Sequence, residues 1–375
     1  ARGLLPPDPP LAHARGPMPA EPGRLKRRAE ARLSQLKRGH FMQSDIRTFR
    51  RTTPAAAAFA QPAANTSLIG RGGHWAELLS DLVCLDELVI EMPGPSLDVS
   101  HHATLAGLHC RDHQGLLDGA GLRLRLLLER FSAVVPETGG QGSGHKPAAS
   151  ITLQDLNRLP LVVLRAPDNA EAAGFLMRTL MRAHGISGSG ILPMAAAQAT
   201  DRSPLGDSAT DNDARRALDL ARDVAGDGSG LDPLDAAEIA GPLSLQPQRL
   251  RARGEAVGVD PDLVACAMET LADNVLPLTL VFGNPGVVAR LDFSPFAAGQ
   301  GPGRQYVRAD RTSLRLDTRA IDSAWIFRRD DDPGRRQQLR VYDDSGRPIF
   351  MLSAQPAADG RDPVIWRALM NALLA

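Results

Sequence analysis

The sequence predicts an α+β protein made of two tandem repeats, each a large antiparallel sheet flanked by helices. Three observations support this prediction. Four segments recur in the same order half a chain apart, strand-like segments follow one another across short turns, and amphipathic helical stripes open and close each repeat.

The duplication is visible when the two halves of the chain are aligned. FLMRTLM begins at Phe175 and VIWRALM at Val364, an offset of 364 − 175 = 189 residues. Three further pairs keep the same order at offsets of 192, 192 and 188 residues: AELLSD with METLAD, LVIEMPG with LVFGNPG, and NRLPLVVL with SGRPIFML. Offsets confined to 188–192 indicate a tandem repeat.

Each repeat has the same predicted order of elements. It opens with an amphipathic helix, in which the first copy places four apolar residues at helical spacing: Trp75, Leu78, Leu79 and Leu82. An apolar strand then ends at a Pro-Gly turn, Pro93-Gly94 in the first copy and Pro285-Gly286 in the second.

Alternating strands follow, LRLRL in the first copy and SLRL in the second, and their arginines should share one face. The segment QLRVYDDSGRPIFML predicts a hairpin with its turn at 343–346. A helix closes each repeat, with apolar stripes predicted at Leu176, Met177, Leu180 and Met181 and at Ile365, Trp366, Leu369, Met370 and Leu373.

Composition divides the chain into four predicted regions. Residues 1–66 are rich in Pro, Ala and Arg and form a predicted disordered leader, and 187–235 form a polar linker rich in Gly, Ser and Asp. The repeats are predicted at 67–186 and 236–375.

The bulk composition narrows the function classes. With 43 basic and 43 acidic residues the net charge is zero, which argues against a nucleic-acid partner. No apolar run reaches the ~20 residues of a membrane span. Three widely spaced cysteines favour a reducing compartment over a disulfide framework. Common hydrolase, nucleotide-binding and metalloprotease motifs are absent.

Arginines on apolar strands are the first candidate site residues. Arg125, Arg315 and Arg328 could each hold a carboxylate or phosphate through two hydrogen bonds, although an arginine on the solvent face of a strand has the same pattern. Their recurrence in both repeats strengthens the binding interpretation, and both interpretations stay open.

The histidines offer only partial metal sites. His101 and His102 are adjacent and should point to opposite sides of a strand. His109 lies close to Cys110, Asp112 and His113, but two aligned ligands are half of a zinc site. Each of these residues could be a metal ligand or an ordinary polar residue of a strand or loop.

Several segments resemble the HemS-type haemin-degrading and haem-trafficking family. In the second repeat the resemblance lies in SLRLDTRAIDSAWIFRRDDD, LRVYDDSGRPIFMLSA, IWRALMNALL and LPLTLVFGNPGVVARLDFSPF; in the first it lies in RGGHWAELLSDLVCLDELVIEM and GLLDGAGLRLRLLLERF. The family is itself a tandem duplication, and its members are cytoplasmic proteins that bind haem, pass it on and in some cases open the porphyrin. The resemblance therefore implies haem as the cofactor and a haem oxygenase or haem-uptake component as a partner.

The resemblance also implies roles for particular residues. The family's distal-pocket arginine falls on Arg125, and Arg328 takes the basic place that could serve a propionate. The region that carries the family's axial histidine reads GPLSLQPQRLRARGEAVG here and contains no histidine. Residues that could replace it are Tyr306, Tyr342, Met268, His101, His102 and His109.

Three functions follow as expectations. The leading one is a cytoplasmic haem-binding carrier of haem-iron utilisation. The second is a haem-degrading enzyme, which the missing histidine disfavours. The third is a diverged paralogue that has lost haem and serves as a protein-interaction scaffold.

Overall fold

The computed structural model of the protein describes residues 75–85, 87–111, 114–138, 149–155, 157–167, 171–183, 233–240, 256–328 and 337–374. The predicted leader 1–66 and the predicted linker up to residue 232 lie outside this part of the chain. Two residues of the half zinc site, Asp112 and His113, also lie outside it. The four-region division therefore stays a prediction.

The first repeat contains two helices, eight strands and one short 3-10 turn. In chain order they are α1 (Trp75–Val83), β1 (Leu88–Met92), β2 (Leu97–Ala103), β3 (Leu105–Arg111), β4 (Gln114–Gly119), β5 (Leu122–Leu127), the turn Leu128–Arg130, β6 (Ala133–Thr138), β7 (Ala149–Gln154), β8 (Pro160–Arg165) and α2 (Glu171–Ala183).

The second repeat runs through the same order after two extra elements, α3 (Pro233–Ala240) and β9 (Ala256–Val259). It comprises α4 (Leu263–Asp273), β10 (Leu278–Asn284), β11 (Val287–Phe293), β12 (Ala297–Gly301), β13 (Arg304–Arg308), β14 (Thr312–Asp317), the turn Thr318–Ala320, β15 (Ser323–Arg328), β16 (Gln337–Tyr342), β17 (Pro348–Ala354) and α5 (Val364–Leu373).

The strands form two antiparallel sheets, which confirms the predicted α+β class. Sheet A has eight strands in the order β12-β13-β14-β2-β1-β8-β7-β6, and sheet B has nine in the order β3-β4-β5-β11-β10-β17-β16-β15-β9. Replacing each strand of sheet A by its counterpart in the other repeat reproduces sheet B without β9.

Each sheet contains strands from both repeats, because the repeats exchange a three-stranded meander. Strands β3–β5 of the first repeat join sheet B where β5 pairs with β11, from Val287↔Leu126 to Leu291↔Leu122. Strands β12–β14 of the second repeat join sheet A where β14 pairs with β2. The sequence did not predict this exchange, since side-chain alternation specifies which residues face the core and not which strand edge is paired.

The helices cover the apolar faces, with one departure from the prediction. All four predicted residues of α1 are buried, and in α5 Trp366, Leu369, Met370 and Leu373 are buried. Of the four apolar residues predicted for the stripe of α2, Met177 and Met181 are buried, while Leu176 is 46% exposed. The buried stripe of α2 is therefore narrower than the spacing of its apolar residues predicts. Among the described residues no helix has the length and apolar character of a membrane span.

The predicted hairpin joins β16 to β17 in sheet B. Gly346 adopts a φ of +73°, which a residue with a side chain rarely adopts. The Asp343 carboxylate accepts from the backbone N–H groups of Ser345 and Arg347 at 3.0 and 2.9 Å. The hairpin places Arg340 and Tyr342 on the same face of sheet B as Arg125.

Candidate functional site

One face of sheet B, here called the α3 face, carries a buried arginine on the exchanged meander. The register sets Leu116, Arg125 and Val288 side by side on β4, β5 and β11. Arg125 is only 6% exposed, and its Nε donates to Gln114 Oε1 at 2.7 Å while Nη2 bonds the same oxygen. The exchange of meanders therefore brings an arginine of the first repeat onto the sheet of the second.

An apolar strip adjoins Arg125 on this face. It consists of Val281, Val288 and Met351, with Leu127 packed against it. The helix α3 lies on the strip through Ala236 and Ile239. Gly283 permits this close approach, since a Cβ there would lie 2.9 Å from Ile239 Cγ2. The strip lies on the neighbouring strands β11, β10 and β17, and α3 covers it.

A second buried arginine, Arg340, lies beyond the strip on β16. Arg340 opposes Met351, which opposes Val281, so the three side chains share the α3 face. The guanidinium is held by two acids of α3: Nη2 donates to Asp235 Oδ1 at 2.7 Å, and Nη1 bonds Glu238 Oε2. Its Cζ also lies 4.2 Å from the centroid of the Phe327 ring. Four strand spacings of ~4.8 Å put β5, which carries Arg125, about 19 Å from β16, which carries Arg340.

Glu238 is the most perturbed acid on this face. It is 1% exposed and accepts from the Tyr342 hydroxyl at 2.8 Å. Burial raises the pKa of Glu238 to about 7, although Arg340 and the Tyr342 hydroxyl act in the opposite direction. Burial also raises the pKa of Tyr342, so its hydroxyl stays protonated and donates.

Three of the sequence candidates lie together on a face of sheet A. Arg315 stands opposite both Tyr306 and Asp98, and its Nε donates to Asp98 Oδ2 at 2.8 Å. His102 lies on the same side of β2, four residues along the strand from Asp98. Tyr306 is 45% exposed. Arg315 occupies in sheet A the position that Arg125 occupies in sheet B, but it is exposed rather than buried.

His101 points to the opposite side of β2 from His102, as predicted, and is buried. Its Nε2 lies 3.0 Å from the Ala120 carbonyl oxygen and its Nδ1 lies 2.9 Å from Thr312 Oγ1. A carbonyl oxygen only accepts, so Nε2 carries the proton and Nδ1 accepts from the hydroxyl. Burial lowers the pKa of His101, which keeps the ring neutral. An iron at Nδ1 would have to displace Thr312.

The remaining candidates are dispersed. His109 lies on the α3 face of sheet B opposite Leu116, two strands from Arg125, and is exposed. Arg328 is also exposed but pairs with Gln337, which puts it on the other side of sheet B from Arg340. Met268 is buried in the core. The roles of Arg125, Arg315, Arg328, His101 and His102 as haem contacts, and of His109 and Tyr306 as iron ligands, stay predictions.

An open pocket of about 310 Å³ lies near the β2–β14 junction. Its wall includes His101, Asp292, Asp310, Arg311 and Thr312. The polar lining mixes both charges, so this pocket lacks the apolar character that a porphyrin plate requires. Across the described ranges, no group of three or more His, Cys, Asp or Glu side chains is arranged to hold a metal ion.

The sequence analysis missed the acids and the arginine that dominate the α3 face. Arg340 is an arginine on an apolar strand, so the criterion that selected Arg125 would also have selected it. Asp235 and Glu238 gave no such signal, because the predicted linker ended at residue 235 and no motif set them apart. Their partner Arg340 lies more than a hundred residues along the chain.

Together these features define a two-repeat α+β protein with exchanged meanders and an apolar, arginine-flanked face on its second sheet. No protein-family model and no curated protein matches the chain. Solved structures do match it. Holo-PhuS, a heme-binding protein from Pseudomonas aeruginosa, is 17% identical with a TM-score of 0.64, over 95% of this chain and 99% of PhuS. The heme degrading enzyme ChuS of Escherichia coli O157:H7 is 18% identical with a TM-score of 0.61, over 81% of this chain and 86% of ChuS.

These matches confirm, at the level of the fold, the resemblance found in the sequence. The PhuS match spans nearly the whole of both chains, so it includes both repeats. At such low identity the comparison shows a shared architecture and leaves the chemistry of the site to its own residues.

Proposed function

We propose that this protein binds haem on the α3 face of sheet B and acts in the cytoplasm as a haem carrier. One observation carries the proposal: Arg125, on a meander donated by the other repeat, is buried beside the apolar strip of Val281, Val288 and Met351. A haem offers an apolar plate and two carboxylates, which match an apolar strip and an arginine. The shared fold with ChuS and PhuS points to the same class of ligand.

A haemin titration tests the proposal. We expect a saturable shift of the Soret band at micromolar protein, and Arg125→Gln should weaken binding by about tenfold or more, since an arginine–carboxylate hydrogen bond contributes about 1.5–3 kcal/mol. Arg308→Gln is the matched control, because Arg308 is also a strand arginine but is exposed on β13 of sheet A. Absence of a saturable shift would refute the proposal.

The same titration separates the candidate ligands. Arg315→Gln and His102→Ala alter the sheet A face, whereas His109→Ala alters the α3 face of sheet B. A loss of affinity confined to Arg125 and His109 would assign haem to sheet B. Loss confined to the Arg315 and His102 variants would assign it to sheet A and contradict the proposal.

Haem degradation is tested on the loaded protein. If the protein is a carrier, a reductant and oxygen leave the Soret band in place over many minutes. If it is an enzyme, the band disappears at a rate proportional to the protein concentration. If the protein is a carrier, a haem oxygenase would receive its haem, or a haem-uptake component would donate haem to it.

A scaffold function without haem is the second candidate, and one observation favours it. Arg340 is already neutralised by Asp235 and Glu238, and α3 covers the strip that a porphyrin would need. On this alternative the α3 face is a permanent core, and haemin fails to bind whatever the state of α3.

A further inference from the structure

The helix α3 presents to sheet B the same chemistry that a haem would present. Asp235 and Glu238 are three residues apart and so lie on one side of the helix, where both bond the guanidinium of Arg340. Ala236 and Ile239 are apolar and lie on Val281, Val288 and Met351. The helix is in effect an apolar body that carries two carboxylates, seated on an apolar strip with an arginine at its end.

Such a helix depends on the sheet for its stability. It has eight residues, whereas isolated helices below ~12–15 residues are marginal in water. Its two acids bond Arg340, Tyr342 and Gln338 of the sheet. If those acids lose their partners, α3 keeps the packing of Ala236 and Ile239 on the apolar strip, which an apolar ligand can replace.

Replacing one pair of carboxylates around Arg340 by another pair changes the free energy of the protein little. A buried arginine left without an anion is strongly unfavourable, so α3 cannot simply depart. A ligand that supplies its own carboxylates as α3 leaves would keep the guanidinium paired throughout. The buried ion pairs contribute little net stability once desolvation is counted, so the exchange is not opposed by a large difference in energy.

We propose that α3 is a displaceable cover of the α3 face, and that Arg340 exchanges Asp235 and Glu238 for the carboxylates of the bound ligand. This inference rests on the proposed haem function and deepens it, because it adds Arg340 to Arg125 as a carboxylate-binding residue and assigns α3 as the internal competitor. The class of ligand is an apolar planar molecule with two carboxylates, which excludes porphyrins whose carboxylates are esterified.

The first test is hydrogen exchange of the wild-type protein with and without haemin, followed by mass spectrometry. At saturation we expect the amides of 233–240 to exchange at least about tenfold faster, while those of β16 and β17 stay protected. Unchanged or slower exchange in α3 with bound haemin would overturn the inference and leave the proposed function standing.

The second test uses variants of the cover. Asp235→Asn with Glu238→Gln should bind haemin at least about tenfold more tightly than wild type, and Arg340→Met at least about tenfold more weakly. Asp317→Asn is the matched control, because its carboxylate pairs with Arg319 on the meander of sheet A. The dimethyl ester of haemin, used as a probe, lacks the carboxylates and should bind wild type and Arg340→Met equally weakly.

The outcomes distinguish the two proposals. If wild type binds no haemin but the double variant does, α3 is a strong competitor and the inference is supported. If wild type and double variant bind equally well, the cover is refuted while haem binding stands. If neither binds haemin, both proposals fail together, and hydrogen exchange of the free double variant then shows whether α3 has left the sheet without a ligand to replace it.

Discussion

Two arginines lie buried on the α3 face of sheet B, and the chain accommodates them differently. Arg125 is 6% exposed and bonds the amide oxygen of Gln114, a neutral acceptor. Arg340 is 3% exposed and bonds two carboxylates. Because charge in the interior has to be paired or hydrogen-bonded, each arginine requires a particular neighbour. The chemistry of the face therefore depends on single side chains.

Glu238 makes the stability of the protein depend on pH. Its pKa is raised from 4.5 to about 7, chiefly by burial, so the folded state holds the proton more tightly than the unfolded chain does. This contribution favours folding below pH 4.5 and is lost as the pH rises through 7. Glu238→Gln removes this titration. The free energy of unfolding of the variant minus that of wild type should therefore increase by at most about 3 kcal/mol from pH 5 to pH 8.

Urea unfolding at several pH values measures this difference. Besides burial, three neighbours act on this pKa and are present in both proteins: Arg340 and Tyr342 on β16 and Asp235 on α3. On the same face β11 carries the Arg290–Asp292 pair, and β10 and β17 present Val281 and Met351. The free energy of unfolding of Asp317→Asn should change with pH as that of wild type does between pH 5 and pH 8. The reason is that the pKa of Asp317 is lowered and lies below this range. Parallel curves for wild type and Glu238→Gln would contradict the assignment.

At the scale of the elements, α2 and α5, the helices that close the two repeats, differ in burial. Trp366 in α5 is 0% exposed and its Nε1 donates to the Gln337 carbonyl oxygen at 3.1 Å. In α2 the equivalent helix exposes Phe175 and Leu176, at 61% and 46%. The same sequence pattern thus produces a core helix in one repeat and a partly exposed helix in the other.

Replacing Trp366 should therefore be costly. Trp366→Ala leaves a cavity against β16 and removes the hydrogen bond to Gln337, so we expect a loss of about 3–5 kcal/mol in the free energy of unfolding. Val364→Ala is the control in the same helix, because Val364 is 60% exposed and should change stability by less than about 0.5 kcal/mol. A loss for Trp366→Ala below about 1 kcal/mol would show that α5 is not part of the core.

The elements themselves could be predicted from the sequence, because their signals are local. Trp75 to Leu82 repeat at helical spacing, Pro93-Gly94 ends a strand, and Asp343 to Gly346 form a turn, each within a few residues. The contacts of the candidate site could not, because they join distant segments. Arg125 meets Val288 across the exchanged meander, and Glu238 meets Arg340 over 102 residues. Local pattern carries no information about such pairs.

On the scale of the whole molecule, the exchange of meanders makes each half of the chain a structural part of the other. Five residue pairs join β5 to β11, and five join β14 to β2. If the halves were separated, β11 and β2 would present unpaired strand edges, and the apolar faces of both meanders would lose their support. The two repeats therefore belong to one cooperative unit rather than to two independent domains.

Cleavage between the repeats tests this cooperativity. A protease site placed between residues 200 and 215 would cut the chain in the predicted linker, outside the described residues. We expect the two fragments to elute together in native buffer and to unfold in one transition, because two cross-repeat strand pairs with ten residue pairs still hold them. After separation in urea, each fragment alone should fail to regain the wild-type circular dichroism, and mixing the fragments should restore it. Fragments that separate without denaturant, or that fold individually as monomers, would show that the exchanged meanders do not bind the halves together.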